Sequence, residues 1–140
     1  MVETGIIILA LAVFVFGVVD IGRGYQLGNQ LSGAAREGAA YGQYHPGKVS
    51  GCSDGETITS HAKSSESSFV SDADLTISVV RVDAGGATTP ITGCNAITVN
   101  PGDRIRVTAT HHFSVVTPLI ARIVGNPMTI SRTQEVVFQG

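Results

Sequence analysis

From Thr4 to Val19 the chain runs for 16 residues without a charge, and this stretch restricts its folding more than any other. It reads Thr-Gly-Ile-Ile-Ile-Leu-Ala-Leu-Ala-Val-Phe-Val-Phe-Gly-Val-Val, with Met1, Val2 and Glu3 before it. A helix on the surface of a water-soluble domain is apolar along one stripe and polar on the other. This run is apolar all round, so its surroundings must be lipid or protein. At ~1.5 Å per residue it reaches about 24 Å, short of the ~30 Å hydrocarbon core, which makes it a marginal bilayer span. A cleaved signal peptide would carry a basic n-region and end in a small-residue site. No Lys or Arg precedes Arg23, Glu3 is acidic and no Ala-x-Ala-like site closes the run, so that reading is disfavoured.

The pattern continues past Val19. Asp20, Arg23, Gln26, Asn29 and Gln30 bring polarity, while Ile21, Tyr25, Leu27, Leu31, Ala34, Ala35, Ala39 and Tyr41 recur at spacings that suit an amphipathic helix, and no Pro occurs before Pro46. The expectation is one helix from about residue 2 to residue 44. It carries eight glycines, at 5, 17, 22, 24, 28, 33, 38 and 42. Each interior Gly costs up to about 1 kcal/mol relative to Ala, so something must pack closely against this helix. Gly24/Gly28 and Gly38/Gly42 have the small-x3-small spacing of helix–helix contacts in apolar surroundings. Helix packing through Gly17, Gly24, Gly28, Gly38 and Gly42 is the expectation, with turns melted around 22–28 as the alternative. Glu3 is either a solvated acid favoured by the helix dipole, or the partner of a neighbouring subunit's α-amino group, which would set axial register.

Val2-Glu3, the apolar run, Phe16-Gly17-Val18-Val19-Asp20-Ile21-Gly22-Arg23-Gly24-Tyr25 and Ala34-Ala35-Arg36-Glu37-Gly38-Ala39-Ala40-Tyr41-Gly42 together resemble a TadE-like pilin of the tight-adherence branch of the type IV pilus superfamily. The Asp20/Arg23 pair at i,i+3 and the Ala-Ala-Arg-Glu-Gly-Ala stretch carry the likeness. Residues 100–108, Phe113 and Thr117-Pro118-Leu119 extend it. The resemblance implies a prepilin with a short basic leader, cut by a prepilin peptidase and held in inner-membrane lipid. Assembly machinery would then extrude it into an extracellular helical filament of copies of itself. Glu3, Asp20, Arg23, Arg36 and Glu37 are the assembly residues it implies. In that family's pattern the acid usually stands at the fifth mature position, whereas here it is third.

The remainder reads as a small second unit, residues 45–140, after a helical unit 1–44. His45-Pro46-Gly47 ends the long helix. Ser53-Asp54-Gly55-Glu56 reads as a capping box opening a short helix over 54–69. From Leu75 the hydrophobic period changes to two, with strands expected at 75–83, 95–99, 104–115 and 128–138 and an apolar crossover or short helix at 117–124. The expected fold is therefore α+β: a long helix, a short one, and a three- or four-stranded antiparallel sheet (75–139) burying one face on the second half of the long helix. Cys52 and Cys94, the two cysteines, read as one disulfide in a chain with an export-type N-terminus.

Chemistry is harder to find. His111 and His112 would point to opposite faces of a strand and cannot easily share a metal ion. No Ser/His/Asp set stands at a motif spacing, and Gly22-Arg23-Gly24 lacks the rest of a phosphate-binding fingerprint. No catalytic residue, metal ligand or cofactor is expected, and the chain is read as a non-enzyme. With 9 basic and 11 acidic residues there is no basic excess to neutralise phosphates, so nucleic acid is not an expected partner. The leading expectation is a structural pilus subunit with roles in adhesion. The alternative is a minor tip or priming pilin, or a membrane-anchored adhesion module outside the shaft.

Overall fold

The computed structural model describes residues 2–64, 74–95, 97–117, 121–122 and 125–138. Helix α1 (Val2–Tyr44) is 43 residues long and unbroken through Gly22–Gly28. It stops where Pro46 disfavours helical geometry for the residue before it. The His45 N–H closes the last turn on the Tyr41 carbonyl at 3.1 Å.

The second half of α1 forms one wall of the core. Leu27, Leu31, Ala34, Ala35 and Ala39 are buried, as their spacing predicts. Gly28, Gly38 and Gly42 are buried with them, at the same i,i+3/i+4 intervals. Ile21 and Tyr25, which the periodicity groups with this set, are instead 71% and 73% exposed. Each lies one residue, or ~100° of rotation, from Asp20 and Gly24 on the inward stripe.

Two of the glycines sit at close approaches. A Cβ at Gly42 would stand 2.5 Å from Ile105 Cδ1 and 3.0 Å from Ile58 Cδ1; one at Gly38 would meet Ala62 Cβ at 3.1 Å. Gly33, by contrast, faces open space.

Helix α2 spans Ile58–Ser64 and starts later than the expected 54–69. Residues 65–69 of that expectation, with Phe69, lie outside the described residues. Its start differs because Ser53–Gly55 form a turn. The Gly55 N–H donates to Cys52 O at 3.0 Å with φ +73°, and the Glu56 N–H turns back onto Asp54 Oδ1 at 3.2 Å. A local side-chain bond of this kind competes with helix. The capping box is made four residues on: the Ser60 N–H donates to Thr57 Oγ1 (3.0 Å) and the Thr57 N–H to Ser60 Oγ (2.9 Å). Ile58 and Ala62 then bury against α1 at Gly38 and Gly42.

Four antiparallel strands follow: β1 (Leu75–Val82), β2 (Thr88–Ile91), β3 (Arg104–Phe113) and β4 (Met128–Val137). Their order in the sheet is β2-β1-β3-β4. The expected strand at 95–99 is not found among its described residues, and β2 lies earlier. Cys94 forms an isolated bridge with Lys48 instead, and the Asn95 N–H donates to Gly47 O at 3.0 Å, so this segment's pairing goes to the chain leaving α1. In the 117–124 stretch, Ala121 N–H to Thr117 O (3.0 Å) and Gly125 N–H to Ala121 O (3.1 Å) are helical-type turns. Residues 118–120 and 123–124 lie outside the described residues.

The sheet buries one face on α1, as expected. On β3 Ile105, Val107, Ala109, His111 and Phe113 point inward, while His112 is exposed. His111 sits in this apolar layer with neither ring nitrogen hydrogen-bonded among the described residues. A disulfide joins Cys52 to Cys94. Beside it Lys48 Nζ donates to Asp54 Oδ2, which holds the Asp54 carboxyl below, and the Lys48 ammonium above, their ordinary values.

Asp103 is almost fully buried. Its carboxylate takes Arg81 Nη2 at 2.8 Å and the Asn100 N–H at 2.8 Å. Breaking a buried pair by removing one partner leaves an uncompensated charge. Arg81→Ala should lower stability by about 1.5–3 kcal/mol in chemical denaturation of the full chain in detergent, since Arg81 is itself only partly buried. The glycines divide in sign. Gly42→Ala should destabilise by about 1–3 kcal/mol through overpacking. Gly33→Ala should stabilise by up to about 1 kcal/mol through helix propensity. Equal thermal shifts for the two would contradict the close approach at Gly42.

Candidate assembly surface

The first half of α1 has no core of its own. Ile6, Ile7, Ile8, Leu9, Leu11, Phe14, Phe16, Val18 and Val19 are all more than half exposed. By length and composition this helix is able to cross a membrane: its most apolar 18-residue window has mean hydropathy 2.6, and 11% of that window is buried. Leaving so many aliphatic and aromatic side chains in water is unfavourable by roughly 25 cal/mol per Å2, so the surface calls for lipid or protein cover.

Glu3 stands exposed at the far end of this surface, and Asp20 closes the near end. Asp20 is 4% exposed although it directly follows Val19. It is turned into the folded unit, where its Oδ2 accepts the Thr117 N–H at 2.8 Å and its Oδ1 the Val116 N–H at 3.2 Å. The Thr117 hydroxyl is buried beside the same carboxylate. Arg23, half exposed, lies 3.7 Å from Asp20 Oδ1, and its guanidinium sits 5.4 Å from the Phe113 ring centroid. A cation over an aromatic face is attracted by the ring quadrupole. Asp20, Arg23, Phe113 and residues 116–117 thus form one clasp, joining α1 to the chain 97 residues later.

The structure brings Asp20 and Arg23 together and leaves the other expected assembly residues apart. Arg36 and Glu37 are exposed about 20 Å further along α1. The expected packing glycines lie on the inward stripe. Gly17 is buried, and Gly24 approaches Phe113, with a Cβ there 4.0 Å from its ring. A Cβ at Gly28 would stand 3.1 Å from Arg132 Nη2, and Gly38 and Gly42 meet α2 and β3. Their close approach within the chain is therefore to its own sheet and short helix. Gly5, Gly22 and Gly33 have open space around them.

Beside the clasp a cleft of about 570 Å3 opens between α1 and the ends of β3 and β4. Asp20, Ile21 and Gly24 form one wall, Phe113 and Val115 adjoin them, and β4 supplies residues 128–132. No spacing pattern marks Arg132 or Phe113 as belonging with Asp20, because the contact exists only through the β3–β4 register.

Elsewhere the Tyr41 ring stacks with His45 (centroids 4.5 Å) and His61 (4.0 Å), and His61 Nε2 lies 3.2 Å from Glu56 Oε2. Among the described residues, no three His, Cys, Asp or Glu side chains converge as metal ligands.

If Asp20 anchors the loop, Asp20→Ala should leave the Val116 and Thr117 amides without acceptors. Their hydrogen exchange should speed up while the β3 amides keep their protection. Unchanged exchange at 116 and 117 would rule out the clasp.

Comparison with known proteins agrees with the N-terminal motif: residues 1–40 match the family described as TadE-like protein. The match covers the apolar run, the Asp20/Arg23 pair and the Ala-Ala-Arg-Glu-Gly-Ala stretch. Comparisons with curated proteins and with solved structures gave no match.

Proposed function

We propose, from the TadE-like match over residues 1–40, that this chain is a structural subunit of a Tad-like pilus, polymerising through its N-terminal helix. The observation that carries the reading is that α1 leaves its folded unit at Asp20 as about 28 Å of helix with its apolar side chains uncovered. A segment too short for a comfortable bilayer span, yet apolar all round, suits two environments in turn. It is held in inner-membrane lipid as a precursor and buried among copies of itself after extrusion. Hydrophobic burial between subunits then supplies the cohesion.

The small α+β unit would face outward and carry contacts with the surroundings, including adhesion. The partners in this reading are further copies of the chain, membrane lipid, a prepilin peptidase and the assembly machinery. No catalytic step is part of it.

Removing residues 1–16 keeps Gly17, Asp20 and the whole inward stripe. The truncated chain should be a folded monomer in solution that forms no filaments. Filaments from it would overturn the reading. Side-chain density in a reconstructed filament separates the two roles: a uniform shaft of this chain makes it the major subunit, and its restriction to one end makes it a minor one.

A further inference from the structure

The cleft beside Asp20 combines three properties. Its lining is largely apolar, with Ile21, Phe113, Val115, Met128 and Ile130. It is continuous with the bare surface of α1 at Val18, Val19 and Ile21, each more than half exposed. Its β4 wall also carries a cation, Arg132. That guanidinium donates to the Ser131 carbonyl at 3.0 Å and, among the described residues, pairs with no carboxylate. A complementary occupant is an apolar helical surface bearing a single carboxylate.

The chain contains one such element. Glu3 is the sole charged side chain before Asp20, and the exposed Ile6–Leu9 follow it within two turns. The subunit cannot place this element in its own cleft, because Glu3 and Gly24 lie on one unbroken helix about 32 Å apart. We infer that the cleft between α1 and β4 receives the first turns of α1 from a second copy, with that copy's Glu3 carboxylate on Arg132. This rests on the filament reading above and names the surface through which one subunit holds the next.

Three consequences follow from the chemistry. Glu3 enters an apolar groove opposite a guanidinium, which compensates a carboxylate that is costly to bury alone. The contact is heterologous, one end of the helix against a groove far from it, so it does not close on itself and generates an open array. With the two helices parallel, contacting copies are offset by the Glu3-to-Gly24/Gly28 distance, roughly 30–40 Å along the axis.

The test uses the full chain under conditions where the unmodified protein polymerises. Glu3→Cys combined with Arg132→Cys should give a reduction-sensitive ladder beyond the dimer on non-reducing gels, whereas either single variant should stop at dimers. Arg132→Glu should cut filament yield at least about tenfold while the detergent-solubilised chain still unfolds in a cooperative thermal transition, and adding Glu3→Arg should restore assembly. Normal filaments from Arg132→Glu, together with no ladder from the double cysteine variant, would overturn the Glu3–Arg132 contact and leave the filament reading standing. Density showing Arg132 against solvent or a lipid headgroup would do the same. Absence of filaments from the unmodified chain would overturn the filament reading itself, and this contact with it.

Discussion

The close approach of α1 to the sheet, along a stripe where glycines and alanines stand among leucines, is the contact on which the folded unit depends. Gly24, Gly28, Gly38 and Gly42 alternate with Leu27, Leu31, Ala34, Ala35 and Ala39 on one side of the helix. A helix of this composition is poor by propensity. It is held because Ile105, Val107 and Ile58 reach to its backbone at Gly38 and Gly42, where an added methyl group would be tight at Gly38 and would force a neighbour to shift at Gly42. Most helical stability in proteins comes from such tertiary packing, and here the glycines that weaken the helix in isolation are the positions at which it is packed most closely.

Seen this way, α1 has one backbone and two environments. Before Asp20 its side chains are large and uncovered; after it the inward face is small and fully packed. The change falls within one turn, between Val19 and Arg23, where Asp20 gives its carboxylate to two backbone N–H groups of residues 116–117. A charge directly after 16 apolar residues would be costly if it turned toward lipid. Turned into its own domain it is solvated by peptide dipoles, and the apolar face beside it stays free of charge.

How much of this can be read from residue order depends on the range of the interaction. The long helix, its end at His45-Pro46 and the strands at 75–82, 104–113 and 128–137 follow from local periodicity and breaker chemistry, and they stand where that pattern places them. The start of α2 does not, because Ser53-x-x-Glu56 and Thr57-x-x-Ser60 are two cap-like sequences in succession. Only the turn at Gly55 decides between them. β2 was equally hidden, since Thr88–Ile91 is short and contains Pro90, whereas residues 95–99 have the better strand composition, yet the Asn95 N–H pairs with Gly47 O and the adjacent Cys94 bridges Lys48. The glycine spacing signals close packing without saying against what, and the same i,i+4 pattern serves a neighbouring copy or the subunit's own sheet. Contacts such as Asp20 with Thr117, Arg81 with Asp103 and Gly28 with Arg132 join segments that no short-range pattern relates.

The direct passage from Val19 to Asp20 has a geometric outcome. No tether separates the apolar rod from the head, and the clasp removes the swivel that a flexible joint would have allowed. The azimuth of the head about the rod is therefore set within each molecule. In a filament of the proposed kind, the screw relation between neighbouring rods would pass to the heads unchanged, and packing at the axis would set the angular order of the outer surface.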